Sequence, residues 1–401
     1  MTARVAVVGA SLGGLRAAES LRSNGFTGEV VVVGDEPHLP YNRPPLSKEA
    51  LKDGIEAAAL EFRRRKSVDD VIWRLGVPVT ATDLGAGSLT LADGSMLGFD
   101  AVVAATGLRA RRLAIPAPDG GRHAVRTVED AQNLRAELVP GARLVVIGAG
   151  FIGCEVAATA RSLGCTVDVV APEAVPMQRP LGLEVGAAMQ RRHEAHGVTF
   201  HLGRLPTRVE GGATVASVIL DDDTVLAADV VVEALGCIPN TEWLTGTGLD
   251  LTDGVLVDGW LRALTLDGAA RDDVVAVGDL ARFPNALYDG VARRVEHWSI
   301  PTDTGKRAGA TVAARLAGTP LDPAPFAPMP SFWSDQYDQR LQSFGALGIA
   351  DEVSVLEGEL DGEFVAGYLR AGHLVGVAGV GLMPSLLRLR GELLATAAPA
   401  S

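Results

Sequence analysis

The chain opens on an apolar run, Arg4 to Val8 (RVAVV), that stops at Gly9-Ala10-Ser11-Leu12-Gly13-Gly14. Apolar residues without polar alternation predict a strand buried on both faces. An Ala/Leu-rich stretch to about Asn24 predicts a helix, and Glu29 to Val33 predicts a second strand ending in Gly34-Asp35-Glu36. The same pattern returns 139 residues later: Arg143 to Ile147 (RLVVI), then Gly148-Ala149-Gly150-Phe151-Ile152-Gly153, a helix, and a strand from Val167 to Val170. Three further runs end in glycine turns. They are Ala101 to Ala105 before Thr106-Gly107, Val230 to Val232 before Gly236 and Pro239-Asn240, and Val274 to Val277 before Gly278-Asp279. Strands that alternate with helices and open into glycine at their carboxyl ends predict parallel sheets with ligands at that edge. The expected fold class is therefore α/β, with two Rossmann-like dinucleotide-binding domains.

In such a strand–turn–helix unit the glycines let the backbone approach a pyrophosphate, and the positive helix N-terminus stabilises its charge. An acid at the end of the second strand accepts hydrogen bonds from ribose hydroxyls. In the first unit Gly9, Ser11, Gly13 and Gly14 form the turn, and Asp35 or Glu36 supplies the acid. Ser11 stands where the second glycine belongs. The second unit has all three glycines, but Ala171 ends its strand and Glu173 follows two positions later. No arginine stands at that point to grip a 2′-phosphate, although Arg179 is not far away. NADH is favoured over NADPH.

A length of 401 residues implies two or three domains. Apolar residues are 47% and charged residues 21% of the chain, an ordinary soluble composition. No apolar stretch reaches the ~18 residues of a membrane span, and the chain runs straight into a strand without a signal peptide. A formal charge of −13 disfavours nucleic acid, which wants a basic field. Three widely spaced cysteines, Cys154, Cys165 and Cys237, suggest a reducing cytoplasm rather than a disulfide scaffold. His193-Glu194-Ala195-His196 lacks the zinc-protease spacing and reads as a solvated helix end, Asp221-Asp222-Asp223 as a hairpin tip, and Arg63-Arg64-Arg65-Lys66 as a solvated helix face or a docking patch. No metal site is expected.

Longer motifs carry a resemblance. They are Pro40-Tyr41-Asn42-Arg43-Pro44-Pro45-Leu46-Ser47-Lys48, Arg126-Thr127-Val128-Glu129-Asp130, Gly153-Cys154-Glu155, Gly278-Asp279, Arg294-Val295-Glu296-His297-Trp298 and Phe332-Trp333-Ser334-Asp335-Gln336-Tyr337. In these the chain resembles, over nearly its whole length, the FAD-dependent ferredoxin reductases of bacterial oxygenase systems, which are similar in turn to glutathione reductase and apoptosis-inducing factor.

The resemblance implies a discontinuous FAD domain (1–113 and 241–320), an NAD(P)H domain (114–240) and a C-terminal α+β domain (321–401). It implies that Arg43 and Arg126 reach the FAD pyrophosphate, Asp35 or Glu36 the adenosine ribose, and Asp279 the ribityl chain. Pro44, Thr106, Gly107, Gly278, Glu296, His297 and Trp298 join that site, and Gly148, Gly150, Phe151, Ile152, Gly153, Glu173, Gly236 and Trp333 join the NAD site. Lys48 would stand near the reacting edge of the flavin, paired with Glu155; a buried lysine needs a carboxylate to stay charged. Trp298 and Trp333 would flank the flavin or nicotinamide, and a helix beginning near Pro301 would follow Trp298. The implied reaction takes hydride from NADH and passes single electrons to a 2Fe–2S ferredoxin, docking near Lys306, Arg307 and Trp333, for a haem monooxygenase or Rieske dioxygenase. No cysteine precedes Cys154, so no thiol stands where the disulfide-reducing relatives carry theirs. The alternatives are an NADH oxidase or rubredoxin reductase on the same fold, or a non-catalytic NADH-sensing flavoprotein.

Overall fold

The computed structural model describes residues 3–397. The chain divides into two compact units, Met1–Asn42 with Ala57–Arg109 and Pro239–Pro330, and Arg43–Glu56 with Ala110–Ile238 and Ser331–Ser401. The outermost ends of the expected spans, residues 1–2 and 398–401, lie outside the described residues.

The first unit is built on a six-stranded sheet in the order Arg262–Leu264, Ala270–Ala276, Ala101–Ala104, Arg4–Val8, Glu29–Val33, Ile72–Arg74. All neighbours are parallel except the edge strand Arg262–Leu264. The register sets Ala6 against Val31 on one side and Val102 on the other. Helices cover the sheet, so both faces of each central strand are buried and its sequence is a continuous apolar run. Val5, Val7, Val102, Val103, Val274 and Val275 are all fully buried, each worth roughly 1.5–3 kcal/mol relative to exposure. The helices Leu12–Ser23 and Ser299–Ala317 pack closely because their contact is made of small residues. A Cβ on Gly305 would fall 2.8 Å from the Gly13 oxygen, and one on Gly309 would fall 2.7 Å from that of Ala17.

The second unit carries a five-stranded parallel sheet in the order Val198–Leu202, Thr166–Ala171, Arg143–Ile147, Val230–Glu233, Arg122–His123. The helix Phe151–Ser162 follows its central strand, and the helix Gln178–Ala195 bends at Gly182 (φ 77°). A meander, Pro206–Gly211, Val215–Leu220 and Val225–Ala227, places Asp221-Asp222-Asp223 in its second hairpin turn. A five-stranded antiparallel sheet follows, in the order Ser331–Gln336, Gln339–Gly345, His373–Val380, Phe364–Arg370, Glu352–Gly358, with the helix Met383–Ala397 after it. Phe332, Leu341, Phe364, Ala366 and Ala378 from this sheet share one core with Cys154, Met177, Leu181, Val185 and Met189. The C-terminal sheet is thus packed directly on the two helices of the parallel sheet.

Candidate active site

In the first unit the strand Arg4–Val8 ends at Gly9, with φ +120°, and a Cβ there would meet the Ala105 carbonyl oxygen at 2.1 Å. A Cβ on Gly14 would lie 2.0 Å from the Gly9 oxygen. Both positions require glycine. Ser11 lies between them in extended backbone (φ −102°, ψ −163°), and its side chain makes no capping bond to the helix Leu12–Ser23. Serine at the second position therefore costs the backbone nothing. The first N–H groups of that helix have no intrahelical partner, as an anion-binding turn requires.

The other sequence-predicted residues of this unit gather on the same carboxyl edge of the sheet. Asp35 is exposed and accepts the Glu36 N–H at 3.0 Å, while half-buried Glu36 accepts the Tyr41 hydroxyl. Thr106 Oγ1 donates to the Asn240 carbonyl at 2.6 Å, and Asn240 Nδ2 donates to the Thr106 carbonyl at 3.0 Å, tying the turn at Gly107 to its neighbour. The Gly278 N–H donates to Thr304 Oγ1 at 2.8 Å, which sets Asp279 beside the start of the helix Ser299–Ala317. Trp298 caps that helix, 40% exposed, and its indole N–H donates to Asn42 Oδ1 at 3.0 Å. Burial pushes His297 down to about 4, and exposed Glu296 is held by Arg294 at 2.7 Å.

In the second unit Gly148 (φ +111°) and Gly153 are again demanded by the chain. Their Cβ atoms would lie 2.2 Å from the Ala234 oxygen and 2.1 Å from the Gly148 oxygen. Gly150 differs: its backbone is extended, and beyond its own chain neighbours no protein atom lies within 4 Å of a Cβ placed there. Its missing side chain leaves room for something other than protein, as a dinucleotide requires. Phe151 and exposed Ile152 open the helix, and the Phe151 ring lies 4.7 Å from that of Phe332. Glu173 stands just past its strand, 3.7 Å from Arg179, whose side chain is 89% exposed. Gly236 is exposed and accepts the Arg111 N–H at 2.9 Å.

The excursion Arg43–Glu56 belongs to this unit. Pro44 opens the 3-10 turn Pro44–Ser47, Arg43 donates to the Arg126 carbonyl at 2.5 Å, and Lys48 starts the short helix Glu49–Asp53. Lys48 Nζ lies 2.6 Å from Glu155 Oε2 and 3.0 Å from the Pro44 carbonyl. Ser47 Oγ donates to the same carboxylate oxygen at 2.6 Å, and Ser334 Oγ donates to the other at 2.7 Å. The Lys48 and Glu155 side chains are 12% and 6% exposed. A buried carboxylate is tolerable only when its lone pairs are met by charge and donors, and both conditions hold here. Sequence reasoning missed Ser47 and Ser334. The available signal was position: Ser47 precedes Lys48, and Ser334 alternates with Trp333 on a half-buried strand.

Three readings are corrected or refined. His193 is fully buried, not solvated, because Gln336 and Tyr337 bind its two ring nitrogens; His196, three residues on, is exposed. Arg63 to Lys66 are exposed, but only Lys66 lies in a helical turn; Arg64 covers the Trp73 ring and Arg65 approaches Glu19. Lys306 is exposed on the helix Ser299–Ala317, whereas Arg307 is held by Asp322 at 3.3 Å and the Ala324 carbonyl at 2.9 Å. Trp333 is half-buried. Cys154 is fully buried, and desolvation with the neighbouring Glu155 charge pushes its thiol far above the ordinary range. Among the described residues no group of three metal-binding side chains occurs, and no helix is long and apolar enough to cross a membrane.

Two glycine turns on separate parallel sheets, one with an open cradle at Gly150, define an α/β protein for two dinucleotides. Its sequence says which kind: the chain belongs to the pyridine nucleotide-disulphide oxidoreductase family, whose model matches residues 3–305, and residues 331–401 match the reductase C-terminal family. Such enzymes use FAD and NAD(P)H. The chain is 39% identical to the anthranilate 1,2-dioxygenase system ferredoxin–NAD(+) reductase component of Burkholderia cepacia, over 94% of this chain and 90% of that one. It is 35% identical to rhodocoxin reductase of Rhodococcus erythropolis, over 98% and 90%. Among solved structures it matches the covalent putidaredoxin reductase–putidaredoxin complex with a TM-score of 0.88 and 31% identity, covering 98% of this chain and 93% of that one. The ferredoxin reductase of the CYP199A2 system from Rhodopseudomonas palustris gives a TM-score of 0.87 and 36% identity, covering 96% and 92%.

Proposed function

We propose that this chain is an NADH-dependent ferredoxin reductase that supplies electrons, through a 2Fe–2S ferredoxin, to a haem monooxygenase or Rieske dioxygenase. The observation that carries the reading is the inert thiol. Cys154 is fully buried with its thiol pushed up, and it is the cysteine nearest the Lys48–Glu155 pair. Thiolate, not thiol, does redox chemistry, so electrons have no internal disulfide to enter and leave to an external acceptor. The relative named for an anthranilate 1,2-dioxygenase system agrees.

Bound FAD supplies the two-electron to one-electron conversion that no side chain provides. The first glycine turn, Asp35 or Glu36 and Asp279 would hold it, and Arg43 and Arg126 would supply cations for its pyrophosphate. The second turn would hold NADH, Glu173 just past the strand Thr166–Ala171 offering a carboxylate to the ribose and no arginine standing at the strand end. Lys48 would supply a positive charge to the reacting edge, and Glu155 would hold that charge in place. Trp298 and Trp333 would flank the flavin or nicotinamide. Docking is assigned to Lys306 and Arg307 with Trp333, and the three free cysteines suit the cytoplasm.

The test is NADH oxidation in air by the purified holoenzyme, with cytochrome c as final acceptor and a panel of 2Fe–2S ferredoxins. A many-fold rise in cytochrome c reduction with one ferredoxin is expected. Equally fast NADH consumption without any ferredoxin would make oxygen the acceptor and overturn the reading.

A further inference from the structure

Glu155 sits at the end of a line of buried polar side chains that the reaction proposed above does not use. Its Oε1 accepts the Ser334 hydroxyl at 2.7 Å, and Ser334 Oγ accepts from Gln336 Nε2 at 3.0 Å. Gln336 Oε1 then lies 2.7 Å from His193 Nε2, and His193 Nδ1 lies 3.0 Å from the Tyr337 hydroxyl. Ser334 and His193 are fully buried, and Gln336 is 3% exposed. One assignment of hydrogens satisfies every atom. Tyr337 donates to Nδ1, a neutral His193 donates from Nε2, the amide donates to Ser334, and Ser334 donates to the carboxylate. All four donors point the same way, toward Glu155. The members come from the helix Gln178–Ala195 and the strand Ser331–Gln336 with its turn, so the C-terminal sheet delivers the chain to a helix of the parallel sheet.

A primary amide does not readily take up and release protons as a hydroxyl or imidazole does, so Gln336 interrupts any proton relay. What the line supplies is direction: a series of fixed dipoles whose positive ends face one carboxylate. An apolar filling of the same space would hold the sheet on the helix equally well, because a buried polar line gains little stability over packed hydrocarbon. We propose that Ser334, Gln336 and His193 are positioning residues that fix the Glu155 carboxylate and, through it, Lys48 for flavin reduction. This rests on the reading that the Lys48–Glu155 pair serves that step.

The experiment compares the FAD-loaded wild type with Ser334→Ala, Ser334→Thr, Gln336→Leu and Glu155→Gln. Anaerobic stopped flow gives the limiting rate of flavin reduction and the NADH concentration at half-saturation. Pulse acetylation with acetic anhydride, read by mass spectrometry, gives the reactivity of the Lys48 amine apart from turnover. Loss of one hydrogen bond to a charged group in Ser334→Ala should lower the limiting rate about tenfold. Half-saturation should stay within about twofold, the loss lying in the step after binding. Lys48 acetylation should rise several-fold. Ser334→Thr, which keeps the hydroxyl, should restore both, and Gln336→Leu should fall between. Wild-type rate and labelling in Ser334→Ala beside a slow Glu155→Gln would overturn the chain and leave the pair standing. A wild-type rate in Glu155→Gln would instead overturn the pair's role in reduction. The acetylation of Ser334→Ala then decides whether the chain positions Lys48, and unchanged labelling removes it.

Discussion

Glu155 carries its charge with 6% of its side chain exposed and three side-chain donors around it, from Lys48, Ser47 and Ser334. Removing the cation while leaving the carboxylate strands a buried charge, which in comparable pairs costs about 3–5 kcal/mol. Lys48→Ala should therefore lower unfolding stability by a few kcal/mol, measured by urea titration. It should also slow flavin reduction by NADH about tenfold or more while FAD stays bound. The double variant Lys48→Met with Glu155→Gln should recover most of the stability and none of the rate. If single-turnover reduction is unchanged in Lys48→Ala, the residue has no part in that step. The motif Pro40 to Lys48 brought Lys48 to attention, but its serine neighbours remained anonymous. A serine is polar and common, and only the fold shows that two of them, 287 positions apart, close on one carboxylate.

At the scale of the element, the two glycine turns separate what the chain needs from what a ligand needs. Gly153 is hemmed in at 2.1 Å by the Gly148 oxygen, whereas beyond its own chain neighbours nothing lies within 4 Å at Gly150. Gly150→Ala should leave the melting temperature within about 2 °C, well inside the spread of ordinary surface changes, and raise the NADH concentration for half-saturation. Gly153→Ala should be destabilised severely or fail to fold, because the clash is with backbone. Comparable melting temperatures for the two variants would refute this division of labour. The strands Arg4–Val8, Glu29–Val33 and Arg143–Ile147 were readable to the residue, since burial on both faces writes an unbroken apolar run ended by glycine. The end of the helix Gln178–Ala195 was not. His193 looks like a polar residue near a helix terminus, and its burial is due to Gln336 and Tyr337, some 140 positions away. Local spacing holds no record of such partners.

For the whole molecule, one buried and one half-buried histidine make acid sensitivity predictable. Burial pushes His193 and His297 each down to about 4, while an unfolded histidine titrates near about 6.5. Since the folded values are depressed, their stabilising contribution is complete above about pH 6.5 and is lost as pH falls toward 4. Urea midpoints should drop between pH 7 and pH 5, and His193→Gln should shrink that drop even though it lowers stability at pH 7. An identical pH dependence in the variant would exclude His193 as a source. Surface charge makes a separate prediction. With a net charge of −13, any attraction of a partner by basic residues must be local. Lys306→Glu should weaken ferredoxin-dependent turnover several-fold and spare ferricyanide turnover; equal losses would remove that residue from the docking face.

The excursion Arg43–Glu56 also bears on how such an enzyme can be taken apart or recombined. Residues 114–240 read as a self-contained nucleotide module, the kind of segment that gene shuffling is expected to trade between proteins. Cut out, it would keep Glu155 and lose Lys48, Ser47 and Ser334 together, because all three lie outside those limits. The graft would then carry an interior negative charge with none of its side-chain donors, in any host that did not supply them. Transplanting the module therefore means transplanting the upstream segment that carries Ser47 and Lys48 and a strand of its downstream sheet, and natural exchange would be constrained to move all three at once.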